Sequence, residues 1–114
     1  MCGLVAAFSN DRPVDPNALR RATAVLRHRG PDGEQTWIGN SGRVALGHAR
    51  LSIIDLEGGA QPLSNEDEGI YAVVNGELYD FERQRRELEA KGHRFRTKSD
   101  SEVLVHLYEE HGLR

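Results

Sequence analysis

Gln35-Thr36-Trp37-Ile38-Gly39-Asn40-Ser41-Gly42-Arg43-Val44-Ala45-Leu46 reads as two short strands, 35–38 and 43–46, reversed by the four residues Gly39–Gly42. Upstream, Arg29-Gly30-Pro31-Asp32-Gly33 interrupts the chain and turns it. Before that break, Asp15-Pro16 has the form of an N-cap followed by proline at the first helical position. Ala18, Leu19, Ala22, Val25 and Leu26 recur at helical spacing, which predicts an amphipathic helix over 16–28 with that face in the core. Cys2–Phe8 is a nearly continuous apolar run, suited to a buried strand, that ends in the turn-prone Ser9-Asn10-Asp11.

Downstream, an extended segment runs through His48–Asp55, followed by a glycine-rich loop at Glu57–Pro62 and an acidic turn at Asn65–Gly69. Ile70–Val74 reads as a further strand. Residues 80–91 carry Glu/Arg and Glu/Lys pairs at helical spacing, such as Glu82–Arg86 and Glu87–Lys91, and predict an exposed helix ended by Gly92. Phe95 is assigned to a short strand. Ser99 and Glu102 have the spacing of a capping box ahead of Val103, Leu104, Leu107 and Tyr108, with Gly112 closing that helix. Strands and helices with several antiparallel turns point to a layered α+β domain.

Length suits a single domain. The 15 basic and 18 acidic side chains are interspersed and leave a net charge of −3, which argues against a nucleic-acid partner. One cysteine excludes an internal disulfide framework and suits a reducing compartment. The apolar run Leu4–Phe8 is too short to span a membrane and lacks a signal-peptide layout. The chain is therefore expected to be cytoplasmic, with no membrane partner.

The single cysteine sits directly behind Met1. With Met1 removed, Cys2 would carry a thiol and a free α-amine on one residue. That amine titrates near pH 7.7–8.0, and a nucleophile activated by its own N-terminal amine is a known catalytic design. Cys2 can equally be a small apolar residue opening a strand. Asn75-Gly76 can be a hairpin turn, or an amide and a backbone N–H aimed at a developing oxyanion. Arg50, at the head of Leu51-Ser52-Ile53-Ile54, can pair with a local acid or grip a carboxylate in bidentate fashion. Asp100 can complement a helix dipole as a first-turn acid or face a substrate ammonium. His28 and His48 are read as structural. No pair of His or Cys has metal-ligand spacing, so no metal is expected.

Six motifs in order carry a family resemblance: Met-Cys-Gly-Leu-Val at 1–5, Arg-His-Arg-Gly-Pro-Asp at 27–32, Gly-His-Ala-Arg-Leu-Ser-Ile-Ile-Asp-Leu at 47–56, Gly-Ala-Gln-Pro-Leu at 59–63, Val-Asn-Gly-Glu-Leu-Tyr at 74–79 and Ser-Asp-Ser-Glu-Val at 99–103. Together they resemble the N-terminal glutaminase domain of glutamine-hydrolysing asparagine synthetases. These are class II glutamine amidotransferases within the N-terminal-nucleophile hydrolases.

The resemblance implies that Cys2 attacks the side-chain amide of L-glutamine to form a thioester, its α-amine shuttling the proton to departing ammonia. It implies that Asn75 and the Gly76 N–H form the oxyanion hole and that Arg50 binds the α-carboxylate. Glu77 and Asp100 would bind the α-ammonium, and backbone groups near Leu51 and Ile53 would line the pocket. The ammonia would serve ATP-dependent asparagine synthesis from aspartate.

The family's domain is a four-layer αββα sandwich with antiparallel sheets. Residues 2–114 would be part of it, with the synthetase domain absent, so ATP and magnesium are expected only for that missing domain and no cofactor for this chain. Asp80 stands where the family commonly has Asn; as a helix N-cap the two are nearly interchangeable. The short length predicts weak or no activity for the isolated chain. It keeps two alternatives in view: a non-catalytic fragment or interaction module that needs the synthetase domain or a complementary chain, and an amidotransferase acting on another carboxylate.

Overall fold

The computed structural model describes residues 2–51 and 60–113. Three strands, β1 (Gly3–Phe8), β2 (Gly33–Gly39) and β3 (Val44–Arg50), form an antiparallel sheet in the order β1-β3-β2. The β2–β3 reversal is the expected hairpin. Asn40, Ser41 and Gly42 all take positive φ (52°, 57° and 86°), and the Gly42 N–H donates to the Gly39 carbonyl at 3.1 Å. Glycine relieves the Cβ clash at the most strained of the three. The flanking strands are longer than the hydrophobic pattern suggests, and β3 continues into the predicted extended segment as far as Arg50. The rest of that segment lies outside the described residues.

Register divides the sheet into two faces. Leu4 pairs with His48, Ala6 with Leu46 and Phe8 with Val44, so these side chains share one face with Trp37, which also pairs with Leu46. Gly3, Ala45, Gly47 and Ala49 occupy the other. Helix α1 (Pro16–Val25) lies on this second, small-residue face. A Cβ on Gly47 would stand 2.2 Å from Thr23 Oγ1, and one on Gly3 would stand 2.9 Å from Leu26 Cβ, so the helix seats only because those positions are glycine. Leu19 is buried there, and a fully buried leucine contributes about 1.5–3 kcal/mol. Asp15 caps the helix as expected, its carboxylate accepting from the Asn17 N–H at 2.9 Å.

The inward face keeps Leu19 and Leu26 of the predicted set but not the other three members. It is Leu19, Thr23 and Leu26, whereas Ala18, Ala22 and Val25 are exposed. Thr23 is tolerated inside because its hydroxyl donates to the Leu19 carbonyl at 2.8 Å. The helix ends at Val25 rather than 28 and gives way to turns.

On the other face, Trp37 stacks on Tyr71 with ring centroids 4.2 Å apart. Tyr71 belongs to a second antiparallel sheet of β4 (Leu63–Ser64) and β5 (Tyr71–Ala72). The acidic turn between them is organised by the buried Asn65, whose Oδ1 accepts from the Gly69 and Ile70 N–H groups at 3.0 Å each. Strand β4 has no counterpart in the sequence reading, and the predicted strand 70–74 contracts to two residues.

Helix α2 (Phe81–Ala90) packs on α3 (Glu102–His111), and α3 packs on β4 and β5. Gly92 follows α2 and Gly112 caps α3, as predicted. Three local expectations fail. Phe95 is in no strand. Asp80 precedes α2 in the left-handed region (φ 59°) and makes no capping bond; it pairs with Arg83 instead. The Glu102 carboxylate, buried, closes no capping box and reaches back to the Arg96 and Thr97 N–H groups, both at 2.7 Å.

Candidate active site

Side chains alternate along a strand, and that alternation assembles the first part of the site. Cys2, one step before Gly3, lies on the Leu4 face of the sheet, as do His48 and, two residues on, Arg50. The Cys2 thiol is cradled by one residue: Leu51 N–H donates to Sγ at 3.2 Å, and the Leu51 carbonyl lies 3.6 Å from it. The broken segment after α1 secures both strands. Arg29 Nε donates to the Cys2 carbonyl at 3.1 Å and the Asp32 N–H to the Arg50 carbonyl at 2.9 Å.

The second part comes from the chain that leaves β5. Asn75-Gly76 is not a hairpin. Neither residue has the positive φ that a two-residue turn of that kind requires, and the chain proceeds to α2 without a return strand. Side chains take over the backbone bonds that a longer strand would have made. The Val74 N–H donates to Gln61 Oε1 at 2.5 Å, and the Val74 carbonyl accepts from His48 Nε2 at 3.0 Å.

His48 is buried, so its pKa is pushed down by desolvation; the Val74 hydrogen bond opposes this and the Arg50 charge adds to it. The ring is therefore neutral, with the proton on Nε2. Two residues past Gly76, the Leu78 N–H donates to the buried Asp100 Oδ2 at 2.7 Å. Asp100 precedes α3 rather than occupying its first turn.

These groups border one cavity of about 390 Å³. Cys2, Arg50, Leu51, Asn75, Gly76, Glu77 and Asp100, all singled out in the sequence, line it; Ile53 lies outside the described residues. His48, Gln61, Tyr79, Ser99 and Ser101 also line it. Gln61 had no assigned role, and its only signal was its place in the Gly-Ala-Gln-Pro-Leu motif. The chemistry is legible: a thiol, a nearby amide and backbone N–H, one guanidinium and two carboxylates suit a small zwitterion with a polar carbonyl. His28 is outside the cavity and exposed, its Nδ1 3.0 Å from the Val25 carbonyl at the end of α1.

Among the described residues, one group of side chains with the donor atoms to hold a metal stands elsewhere. Glu66, His93, His106 and Glu109 bring one donor atom each to within 4.8 Å of all the others. Spacing along the chain gave no hint of this, because the four come from the β4–β5 turn, the segment after α2, and α3.

The whole chain, residues 1–114, matches the glutamine amidotransferase domain family, and it belongs to that family. Among curated proteins it is similar to asparagine synthetase (glutamine-hydrolysing) 1 of Arabidopsis thaliana, 45% identical over 99% of this chain and 19% of the relative. It is similar to asparagine synthetase (glutamine-hydrolysing) 1 of Bacillus subtilis at 43% over 95% of this chain and 17% of the relative. An amidase of Gibberella zeae is 47% identical over 99% of this chain and 18% of its own length. The chain thus spans about a fifth of the length of the curated relatives it matches.

Proposed function

We propose that this chain is the glutamine-hydrolysing part of an asparagine-synthetase-type amidotransferase, with Cys2 as its nucleophile. The supporting observation is that one cavity is bordered by the Cys2 thiol, Asn75-Gly76, Arg50, Glu77 and Asp100. With Met1 removed, the α-amine of Cys2 takes the thiol proton as Sγ attacks the side-chain amide carbon of glutamine. The tetrahedral oxyanion is held by the Asn75 amide and the Gly76 N–H, donors that act on charge present only in the transition state. Collapse expels ammonia, which carries away the shuttled proton, and leaves a thioester; water then releases glutamate and restores the thiol.

Arg50 binds the α-carboxylate, and Glu77 and Asp100 the α-ammonium. His48 and Gln61 act on the reaction through Val74, fixing the backbone that aims the oxyanion donors, and are positioning residues. The ammonia goes to aspartate activated with ATP and magnesium in a synthetase domain, outside these residues.

We further infer the four-layer αββα order. Its support is α1 on one face of the first sheet, the Trp37–Tyr71 stack on the other, and α3 against the second sheet.

Intact-mass spectrometry before and after a glutamine-mimicking electrophile tests the reading. Loss of Met1 and one adduct, mapped to Cys2 and suppressed by glutamine, is the expected result. A retained Met1 or an unreactive Cys2 refutes it for this chain.

A further inference from the structure

We propose that Glu66, His93, His106 and Glu109 form a structural site for a zinc-like divalent metal ion, which pins α3 to the β4–β5 turn. The protonation logic of the two imidazoles is the starting point. His93 Nε2 lies 2.8 Å from Glu110 Oε2, and His106 Nε2 lies 3.4 Å from Glu102 Oε1. A carboxylate only accepts, so both Nε2 atoms carry hydrogen. With its Nε2 so occupied, each ring in its metal-binding form turns an Nδ1 lone pair inward. The two Nδ1 atoms face each other at 3.2 Å, with His106 fully buried and His93 nearly so. Their remaining neighbours are Glu66 and Glu109 oxygens, which are acceptors as well. Two buried imidazoles and two partly exposed carboxylates thus turn four acceptors toward one centre, an arrangement that a cation would satisfy.

The spacing fits a metal. Tetrahedral zinc with bonds of about 2.0–2.2 Å sets its ligand atoms roughly 3.3–3.5 Å apart. Here His106 Nδ1 is 3.3 Å from Glu66 Oε2 and 4.0 Å from Glu109 Oε2; His93 Nδ1 is 3.6 Å from Glu109 Oε2 and 4.0 Å from Glu66 Oε1. One donor atom from each residue lies within 4.8 Å of all the others, so rotation of the two glutamates that draws the widest pair in by about 1 Å closes the shell.

The surroundings match too. Metal-bound histidines donate their other N–H to a carboxylate, and ligating carboxylates are themselves hydrogen-bonded. Glu110 and Glu102 fill the first role. Arg94 N–H on Glu66 Oε2 (3.1 Å) and Asn65 Nδ2 on Glu109 Oε2 (3.0 Å) fill the second. Four protein ligands leave no open position, so the role is structural rather than catalytic. Imidazole and carboxylate donors suit zinc among the common metals.

The test titrates purified, chelator-stripped chain with zinc chloride against a chromophoric competitor and follows the thermal midpoint. One zinc per chain and a raised midpoint are expected. His93→Gln and Glu109→Gln should abolish both effects. Glu110→Gln, which exchanges the charged acceptor of His93 Nε2–H for a neutral amide and loses the Lys91 ion pair, should weaken zinc binding roughly 10–100-fold. Far-UV circular dichroism of the metal-free variants checks that they fold, and partly exposed Glu109 and Glu110 keep the test available if His93→Gln does not. Absence of stoichiometric binding, or binding untouched in folded Glu109→Gln and Glu110→Gln chains, overturns the proposal. The second result would mean adventitious zinc at the surface; the first would leave a shared proton as the cation between the rings.

Discussion

Replacing Gly30 with alanine tests how the broken segment after α1 supports the site. Gly30 is buried against the main chain of β3. A Cβ there would lie 2.2 Å from the Ala49 carbonyl oxygen, 2.4 Å from the Ala49 carbonyl carbon and 2.6 Å from the Arg50 carbonyl carbon. Ordinary contact requires the two segments to separate by about 1 Å, and the obstacle is backbone of the central strand, paired on both sides. Overpacking of this kind costs about 1–3 kcal/mol, and the immobility of β3 puts Gly30→Ala at the upper end. A glycine replaced by alanine at a permissive position stabilises instead, by about 0.4–1 kcal/mol, so the sign of the effect is itself diagnostic.

The expected loss of about 3 kcal/mol lowers the thermal midpoint by about 10–20 °C in a domain near this size. Urea denaturation at unchanged slope measures it directly. Gly76→Ala is the control: none of the described residues lies within 4 Å of the added methyl, so stability stays within about 0.5 kcal/mol. Because the same segment anchors the Cys2 and Arg50 carbonyls, Gly30→Ala should also slow alkylation of Cys2. A Gly30→Ala chain as stable as its parent refutes the packing described here.

Three further substitutions separate roles within the site and the core. Asp100→Asn keeps an acceptor for the Leu78 N–H but removes the charge; stability should change by less than about 1 kcal/mol while KM for glutamine rises about tenfold or more, and an unchanged KM would remove the ammonium-binding role. His48 has a pKa below its unfolded value, so its contribution to stability is complete above about pH 6.5 and is lost as pH falls toward the folded pKa. His48→Gln should therefore differ most from the parent near pH 7.5 and less at pH 5, and a pH-independent difference in denaturation midpoint would contradict this. Glu102→Gln turns an amide donor toward the Arg96 or Thr97 N–H and should cost about 2–3 kcal/mol, whereas a loss under about 0.5 kcal/mol in urea would show that the carboxylate is not needed.

Local signals were legible where one residue decides the outcome. Asp15-Pro16, the Gly39–Gly42 reversal and Gly92 each act through backbone geometry, and each stands where the chain announces it. The α1 face was misread in part because small sheet residues, not the helix, determine which side seats: Gly47 admits Thr23, Gly3 admits Leu26, and Val25 is left outside. Phe95 and Glu102 were misassigned because tertiary contacts outweigh local pattern. Glu102 satisfies N–H groups five and six residues upstream, which no capping rule anticipates. Seven of the eight pocket residues named from the resemblance line one cavity, yet Gln61 and the Glu66–His93–His106–Glu109 group stayed hidden because their meaning lies in long-range proximity.

The pairing of Gly3 with Ala49 fixes the phase of the thiol as well as its position. Side chains reverse face at every residue, and each residue advances the strand by about 3.4 Å. A single insertion between Cys2 and Gly3 would turn the thiol toward α1, and a double insertion would restore the face but carry it about 7 Å past Leu51. Neither frame can be repaired by side-chain rotation. The spacing between the first cysteine and the first paired glycine is therefore a part of the site that tolerates no change in length, even though neighbouring loops can vary.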